Sequence, residues 1–192
     1  MRIIFLSSAL FFVTGFFLSS MLADEKRELL PPTTVDSVDL SRYVGKWYEI
    51  AKIPNRFQKK CARNVTATYR LLADGDIEVI NRCIQADGKV EDITGVAKVV
   101  DRKTNSKLKV SFFRPLGISL FWGDYWIIGL GPDYEYALVG TPDRKYGWIL
   151  ARKPSLDPSQ LDEIYHLLRR QGYQPDSFKM TPQDNYTQFS IG

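Results

Sequence analysis

The sequence predicts an all-β fold: an eight-stranded antiparallel up-and-down β-barrel with one C-terminal α-helix packed outside it. Three observations predict it. Short runs alternate apolar and polar residues with period two, turn signals separate them at hairpin length, and a single amphipathic helical pattern follows the last run. The first strand is read in "VGKWYEIAKIP", residues 44–54. "NVTATYRLL", "IEVINRC", "VEDITGVAKVV", "KLKVSFF", "DYWIIGL", "YALVG" and "YGWILAR" follow in order. The turns between them include "ADGD", "QADGK", "GPDYE" and "TPDRK". Consecutive antiparallel strands without crossover helices leave a sandwich or a barrel, and closure removes the exposed edges. A barrel of eight strands is wide enough for one small ligand.

The helix carries its own start and stop signals. Asp157 is placed as N-cap, Pro158 at the first helical position and Gln160 at capping-box spacing. Leu156 and Leu161 are spaced for a hydrophobic staple, Leu161, Ile164, Tyr165 and Leu168 form an apolar stripe, and Gly172 ends the helix. Such a helix needs an apolar partner surface, which explains why outward-facing strand positions also carry apolar side chains.

At 192 residues, 44% hydrophobic and 25% charged, the chain suits one domain with a real core. Its net charge of +4 comes from scattered basic residues, with no basic helix or aromatic-interleaved stripe, so no nucleic-acid partner is expected. Residues 1–23 have the layout of a secretory signal: Arg2, the apolar run "IIFLSSALFFVTGFFL", then "SSMLA" before the charged "DEKRE". Met21 is a poor match to the small-residue cleavage rule, which leaves a retained anchor as the alternative. Residues 24–37 read as a linker, 38–181 as the folded domain and 182–192 as a tail. Export makes the two cysteines, Cys61 and Cys83, read as one disulfide rather than a metal or redox pair. A three-residue loop at Ala73-Asp74-Gly75 sets Cys83 opposite Val65, so the bond requires a bulge or a folded-back loop near Cys61. The sequence gives no expectation of a metal or other cofactor, and none about oligomeric state.

Gly45-x-Trp47 at the first strand, Asp133-Tyr134 between the sixth and seventh, and Arg152 after the eighth resemble the lipocalin motifs in order. The extended stretch "GKWYEIAKIPNRF", with "YWIIGLGPDYEYALVG" and "YGWILARKP", is similar to the bacterial outer-membrane lipocalins and their animal relative apolipoprotein D. The resemblance covers roughly residues 38–181. Pro132 stands where the second motif usually has threonine. Bacterial members usually carry a lipidated cysteine after the signal, and with no cysteine before Cys61 tethering by acylation is not carried over. The resemblance implies that Trp47 plugs the closed end, that Arg152 lies across its indole, and that Arg152 ties down carbonyls around Leu40 to Tyr43.

With Trp47 inward, alternation nominates the cavity lining. Glu49 and Ala51 follow on the first strand, then Val65, Ala67 and Tyr69 on the second. Val79 and Asn81 lie on the third, and Ile93, Gly95 and Ala97 on the fourth. Val110 and Phe112 line the fifth, and Tyr125 and Ile127 the sixth. Ala137 and Val139 serve the seventh, and Tyr146, Trp148 and Leu150 the eighth. Bulky residues alternate with small ones, the pattern of a lumen; the same set also suits a barrel filled by its own side chains. The loop at 114–123 is apolar and reads as a lid or a membrane-docking surface, with a loop folded into the cavity as the alternative. The resemblance then implies non-catalytic binding and carriage of a fatty acid, lysophospholipid or similar amphipath, tied to membrane biogenesis or maintenance in an exported protein. The competing reading is a lipocalin-fold enzyme with a free cavity cysteine, since His166, the only histidine, falls on the outer helix.

Overall fold

The computed structural model describes residues 30–113 and 115–184. The expected signal, the first part of the linker, Arg114 and the tail beyond residue 184 lie outside the described residues. A short helix, α1 (Leu40–Tyr43), leads into β1 (Gly45–Lys52). The meander continues through β2 (Cys61–Leu71), β3 (Ile77–Gln85), β4 (Val90–Val99), β5 (Lys107–Ser111), β6 (Gly123–Leu130), β7 (Tyr136–Gly140) and β8 (Gly147–Ala151). Each strand pairs antiparallel with the next, and β8 returns to β1 through Glu49↔Leu150, closing the barrel. The helix α2 (Pro158–Arg170) and a two-residue strand β9 (Lys179–Met180) follow. Gln160 caps α2 by accepting the Asp157 backbone N–H at 3.1 Å.

Strand alternation sorts the apolar residues into two cores. Trp47, Ala67, Tyr69, Val79, Ile127 and Val139 pack inside the barrel. Ile50, Ile128, Leu138 and Ile149 face outward, where Ile164 and Leu168 of α2 cover them. The close approach needs Gly129, since a Cβ there would sit 2.6 Å from Leu167.

One expected lining residue is displaced by backbone geometry. The β1–β8 register shifts between Glu49 and Ala51, a bulge that inserts Ile50 and flips the residues after it. Ala51 is therefore in the outer core with Ile149 and Phe178, not in the lumen.

The C-terminal segment is part of the wall. β1 pairs with β2 only as far as Tyr48↔Thr66, and past that point the two strands part. β9 takes over the freed edge at Ala51↔Met180. Beyond it, the Gln183 side chain donates to Glu49 O (3.0 Å) and Val65 O (3.1 Å), bridging the two strands. The Asn64 N–H donates to Pro182 O at 2.8 Å. So residues 182–184, read as tail from sequence, seal a seam. Residues 30–37, read as linker, are also held: the Val35 N–H donates to Ile127 O (3.0 Å), and Gln171 bonds both backbone groups of Thr33.

Cys61 and Cys83 are bonded, with Cα atoms 5.5 Å apart. The register irregularity that the bond requires lies between Cys61 and Thr66, where Asn64 takes φ +53° and Cys61 moves opposite Gln85. Asparagine tolerates that left-handed geometry better than most side chains. Closing this loop contributes about 2–4 kcal/mol. Urea unfolding of the Cys61→Ser/Cys83→Ser double variant should show a loss of that size, and an unchanged midpoint would contradict it.

Candidate functional site

The closed end is built around Trp47, which is fully buried. Gly45 enters the strand at φ +98°, a conformation that disfavours any side chain, and the Arg152 guanidinium passes 3.3 Å from where a Cβ would stand. That guanidinium lies over the Trp47 ring, 3.8 Å from its centroid. It donates to the carbonyls of Arg42, Tyr43 (3.2 Å) and Lys46 (3.0 Å), so it fastens α1 beneath the barrel. Tyr134 accepts the Asp39 N–H at 2.8 Å, and its ring lies under Arg42. Asp133 is solvent-exposed and lies 3.9 Å from Arg42.

Above this floor three tyrosine hydroxyls meet. The Tyr125 hydroxyl is 2.8 Å from that of Tyr43 and 2.9 Å from that of Tyr69. Burial pushes all three phenols upward, Tyr69 to about 12 and the other two well above their ordinary value. The neutral phenol is the folded-state form, so the stability tied to these groups is complete below the unfolded pKa near 10 and disappears as pH climbs through their raised folded values. In an absorbance titration the lumen tyrosines should ionise only with alkaline unfolding. Ionisation of all ten tyrosines near pH 10 without loss of fold would contradict that.

The inward-facing residues form two tiers. Ile127, Ala137, Val139 and Leu150 are buried low in the barrel, with Ala67, Val79 and Ala97. Val65 is buried higher up, behind the bulge of β2. Val110, Phe112, Tyr125 and Trp148 also pack on the inner core yet are only half-buried. Asn81 is half-buried, and Ile93 directly across from it is 47% exposed. A side chain that points inward and keeps contact with solvent borders unfilled space, so the upper lumen is open. Gly95 does not contribute to that space, because the Phe112 ring occupies it, 2.6 Å from where a Cβ would be. Tyr146 stacks on Trp148 at the rim, and the Phe57 ring packs against Tyr146 with centroids 5.6 Å apart.

Glu49 is buried beside the lumen with every oxygen engaged. One oxygen accepts from Lys52 Nζ and Thr181 Oγ1, both at 2.6 Å; the other accepts from Gln58 Nε2. Gln58 in turn accepts the Trp148 indole N–H at 2.9 Å. Gln58 lies in the 3-10 turn Arg56–Gln58 of the β1–β2 loop, so this network latches that loop across one side of the mouth. Sequence reasoning missed Gln58, Thr181 and Gln183, because nothing in a polar loop residue announces a partner far along the chain. It also missed Tyr43, and passed over Ile77, Val99 and Leu108, which continue the inner alternation by one step.

The β5–β6 loop does not fold into the lumen as the filler alternative required. Trp122 lies on the outer wall under Lys98, 5.5 Å from nitrogen to ring centroid. Phe113, Leu116, Ile118, Leu120 and Phe121 are exposed, Leu116 at 99%.

A closed barrel with a plugged floor, an apolar interior and an open upper lumen defines a container for a small hydrophobic molecule. A family model for a lipocalin-like domain matches residues 38–183. The chain is 38% identical over 164 residues to temperature-induced lipocalin-1 of Arabidopsis thaliana, covering 84% of this chain and 86% of that one. It is 40% identical over 147 residues to the outer membrane lipoprotein Blc of Escherichia coli K12, covering 76% and 80%. It is 34% identical over 166 residues to apolipoprotein D of Mus musculus, covering 82% and 84%. Among solved structures, insecticyanin from the tobacco hornworm Manduca sexta superposes with a TM-score of 0.65 at 20% identity, covering 83% of this chain and 86% of that one, a likeness of fold. The chain belongs to the lipocalin family, in the subgroup that includes the bacterial outer-membrane lipoproteins and apolipoprotein D, and members of this family bind small hydrophobic ligands.

Proposed function

We propose that the barrel binds and carries a lipid with an acyl chain, a fatty acid, lysophospholipid or similar amphipath, in an exported protein that serves membrane biogenesis or maintenance. The observation that carries this reading is the open upper tier, where Val110, Phe112 and Trp148 face inward on the apolar core without being fully buried. Each methylene taken from water into such a lumen contributes about 0.8 kcal/mol, so a chain binds tightly with little polar specificity. Adding lysophospholipid to delipidated protein should change tryptophan fluorescence saturably, and Trp148→Phe should remove most of the change, because Trp47 is sealed in the floor. No saturable change with any acyl ligand would sink the reading.

The same reading gives the mouth a membrane partner. The loop at residues 53–60 contains Arg56, Lys59 and Lys60 with no acidic residue, and the 112–122 loop has no acidic residue either. Ile118, Ser119 and Trp122 of that loop line a groove on the outer wall with Leu72, Asp74, Asp76 and Lys98, while Asp87 and Asp143 in the other two turns at the mouth pair with Lys89 and Lys145. The exposed apolar side chains of the 112–122 loop and the basic residues of the 53–60 loop suit an anionic bilayer surface. Leu116→Asp/Phe121→Asp should weaken cosedimentation with phosphatidylglycerol vesicles by about tenfold. Equal cosedimentation of the variant would remove the loop from the interface. The enzymatic alternative has lost its nucleophile, since both cysteines are in the Cys61–Cys83 bond and His166 is exposed on α2.

A further inference from the structure

We propose that the preferred ligand is a single-chain carboxylic acid bound with its carboxylate inward, received by the hydroxyls of Tyr43, Tyr69 and Tyr125. This rests on the lipid-binding reading above and narrows it to one class and one orientation. The first support is a count of protons. Three phenols carry three O–H donors, and their mutual contacts, Tyr43 with Tyr125 and Tyr69 with Tyr125, use two of them. Whichever way the two bonds run, one O–H has no acceptor among the described residues. Tyr43 is 2% exposed and Tyr69 6%, so their hydroxyls are closed off from bulk water, and when both donate to Tyr125 the spare O–H is that of Tyr125. Tyr125, which joins the other two, is the half-buried member and borders the open part of the lumen. An acceptor oxygen arriving down the lumen therefore meets a donor already held in place.

Charge selects an anionic oxygen. Arg152 is beneath this cluster, stacked on Trp47, and its hydrogen bonds all run to backbone carbonyls. Its positive charge has no carboxylate partner among the described residues. Deep beside the lumen Glu49 and Lys52 neutralise each other at 2.6 Å, and Glu91, nearer the mouth on the same face as Ile93, accepts from Gln85 Nε2 at 2.6 Å. The inner end of the cavity thus offers a hydroxyl donor over an uncompensated cation, and no free acid to hold a choline or ammonium group. Around it stand Val79, Ala97, Ile127 and Val139, which suit an alkyl chain and leave a phosphodiester headgroup without partners. The chain then extends past Trp148 toward the mouth, where the half-exposed Ile93 receives its methyl end.

The test compares palmitic acid with N-phenylnaphthylamine, an apolar probe without a carboxylate, on the full chain and on Tyr43→Phe/Tyr69→Phe/Tyr125→Phe. That variant keeps every ring and removes hydroxyl partners together, a change that is close to neutral for folding. Palmitate affinity should fall about tenfold or more while probe affinity holds. Unchanged palmitate affinity, or an equal loss for both compounds, would overturn the proposal and leave lipid binding intact. Failure of the unmodified protein to bind either compound would remove the lipid reading and this proposal with it. Orientation is read separately on the unmodified protein. Palmitate brominated at the chain terminus should quench Trp148 more than palmitate brominated beside the carboxyl, with the difference absent in Trp148→Phe, and the reverse order would place the carboxylate at the mouth and overturn the assignment.

Discussion

Trp47→Ala is expected to lower the unfolding free energy by about 3–5 kcal/mol, the range for deleting a fully buried indole. The site has little freedom to collapse. The ring lies against the Arg152 guanidinium at 3.8 Å and against Tyr43, whose centroid is 5.1 Å away. The indole N–H also donates to Tyr43 O at 2.8 Å, and that carbonyl would be left to Arg152 alone. A cation–π contact of this kind adds about 0.5–2 kcal/mol where it is shielded from water. Urea unfolding measures the loss, and a change under about 1 kcal/mol would mean that the floor is not the keystone its geometry implies. Trp47→Phe should cost less, because it retains a ring beneath Arg152 and gives up only the hydrogen bond and part of the contact area.

Glu49→Ala is expected to destabilise by about 3–5 kcal/mol, the cost of removing one partner of a buried ion pair. Lys52 would lose its counter-charge, and Thr181 and Gln58 would lose their acceptor, so the penalty combines desolvation with the release of two distant segments. The release has its own signature. The amides of Thr181, bonded to Ile50 O at 2.9 Å, and of Asn64, bonded to Pro182 O at 2.8 Å, should exchange with solvent faster than amides of β6 and β7. Glu49→Gln preserves the shape and some of the hydrogen bonds, and its effect on stability should be smaller. Because both carboxylate oxygens are already engaged, Glu49→Gln should leave fatty-acid affinity unchanged. A large loss of affinity in that variant would make Glu49 a ligand contact rather than a latch.

The legible part of this molecule is what period and local chemistry encode. Alternation located all eight barrel strands, and Asp157, Pro158 and Gln160 announced α2, because both signals act over a few residues. Trp47 and Arg152 were legible as a pair only through motif order, since nothing local links residues a hundred positions apart. Alternation failed at Ala51 because one inserted residue in a bulge reverses every later side chain, and neither Glu49 nor Ile50 marks such a bulge in sequence. The displaced partner of Cys83 was inferable as an irregularity near Cys61, and Asn64 in a left-handed conformation is where it falls. The latch through Gln58, Thr181 and Gln183 was illegible for a different reason. Polar residues in loops take their meaning from what the finished fold brings beside them. Tyr43 belongs to the same class: its ring and hydroxyl enter the lumen from α1, outside any strand whose alternation would reveal it.

Native mass spectrometry of the gently purified protein, followed by release and identification of any bound molecule, tests the central claim most directly. The account predicts a one-to-one complex that releases single-chain lipids, enriched in free fatty acids, and a delipidated protein that takes up the same lipids again. Protein that carries no lipid as isolated and remains unloaded after incubation with fatty acids and lysophospholipids would contradict it.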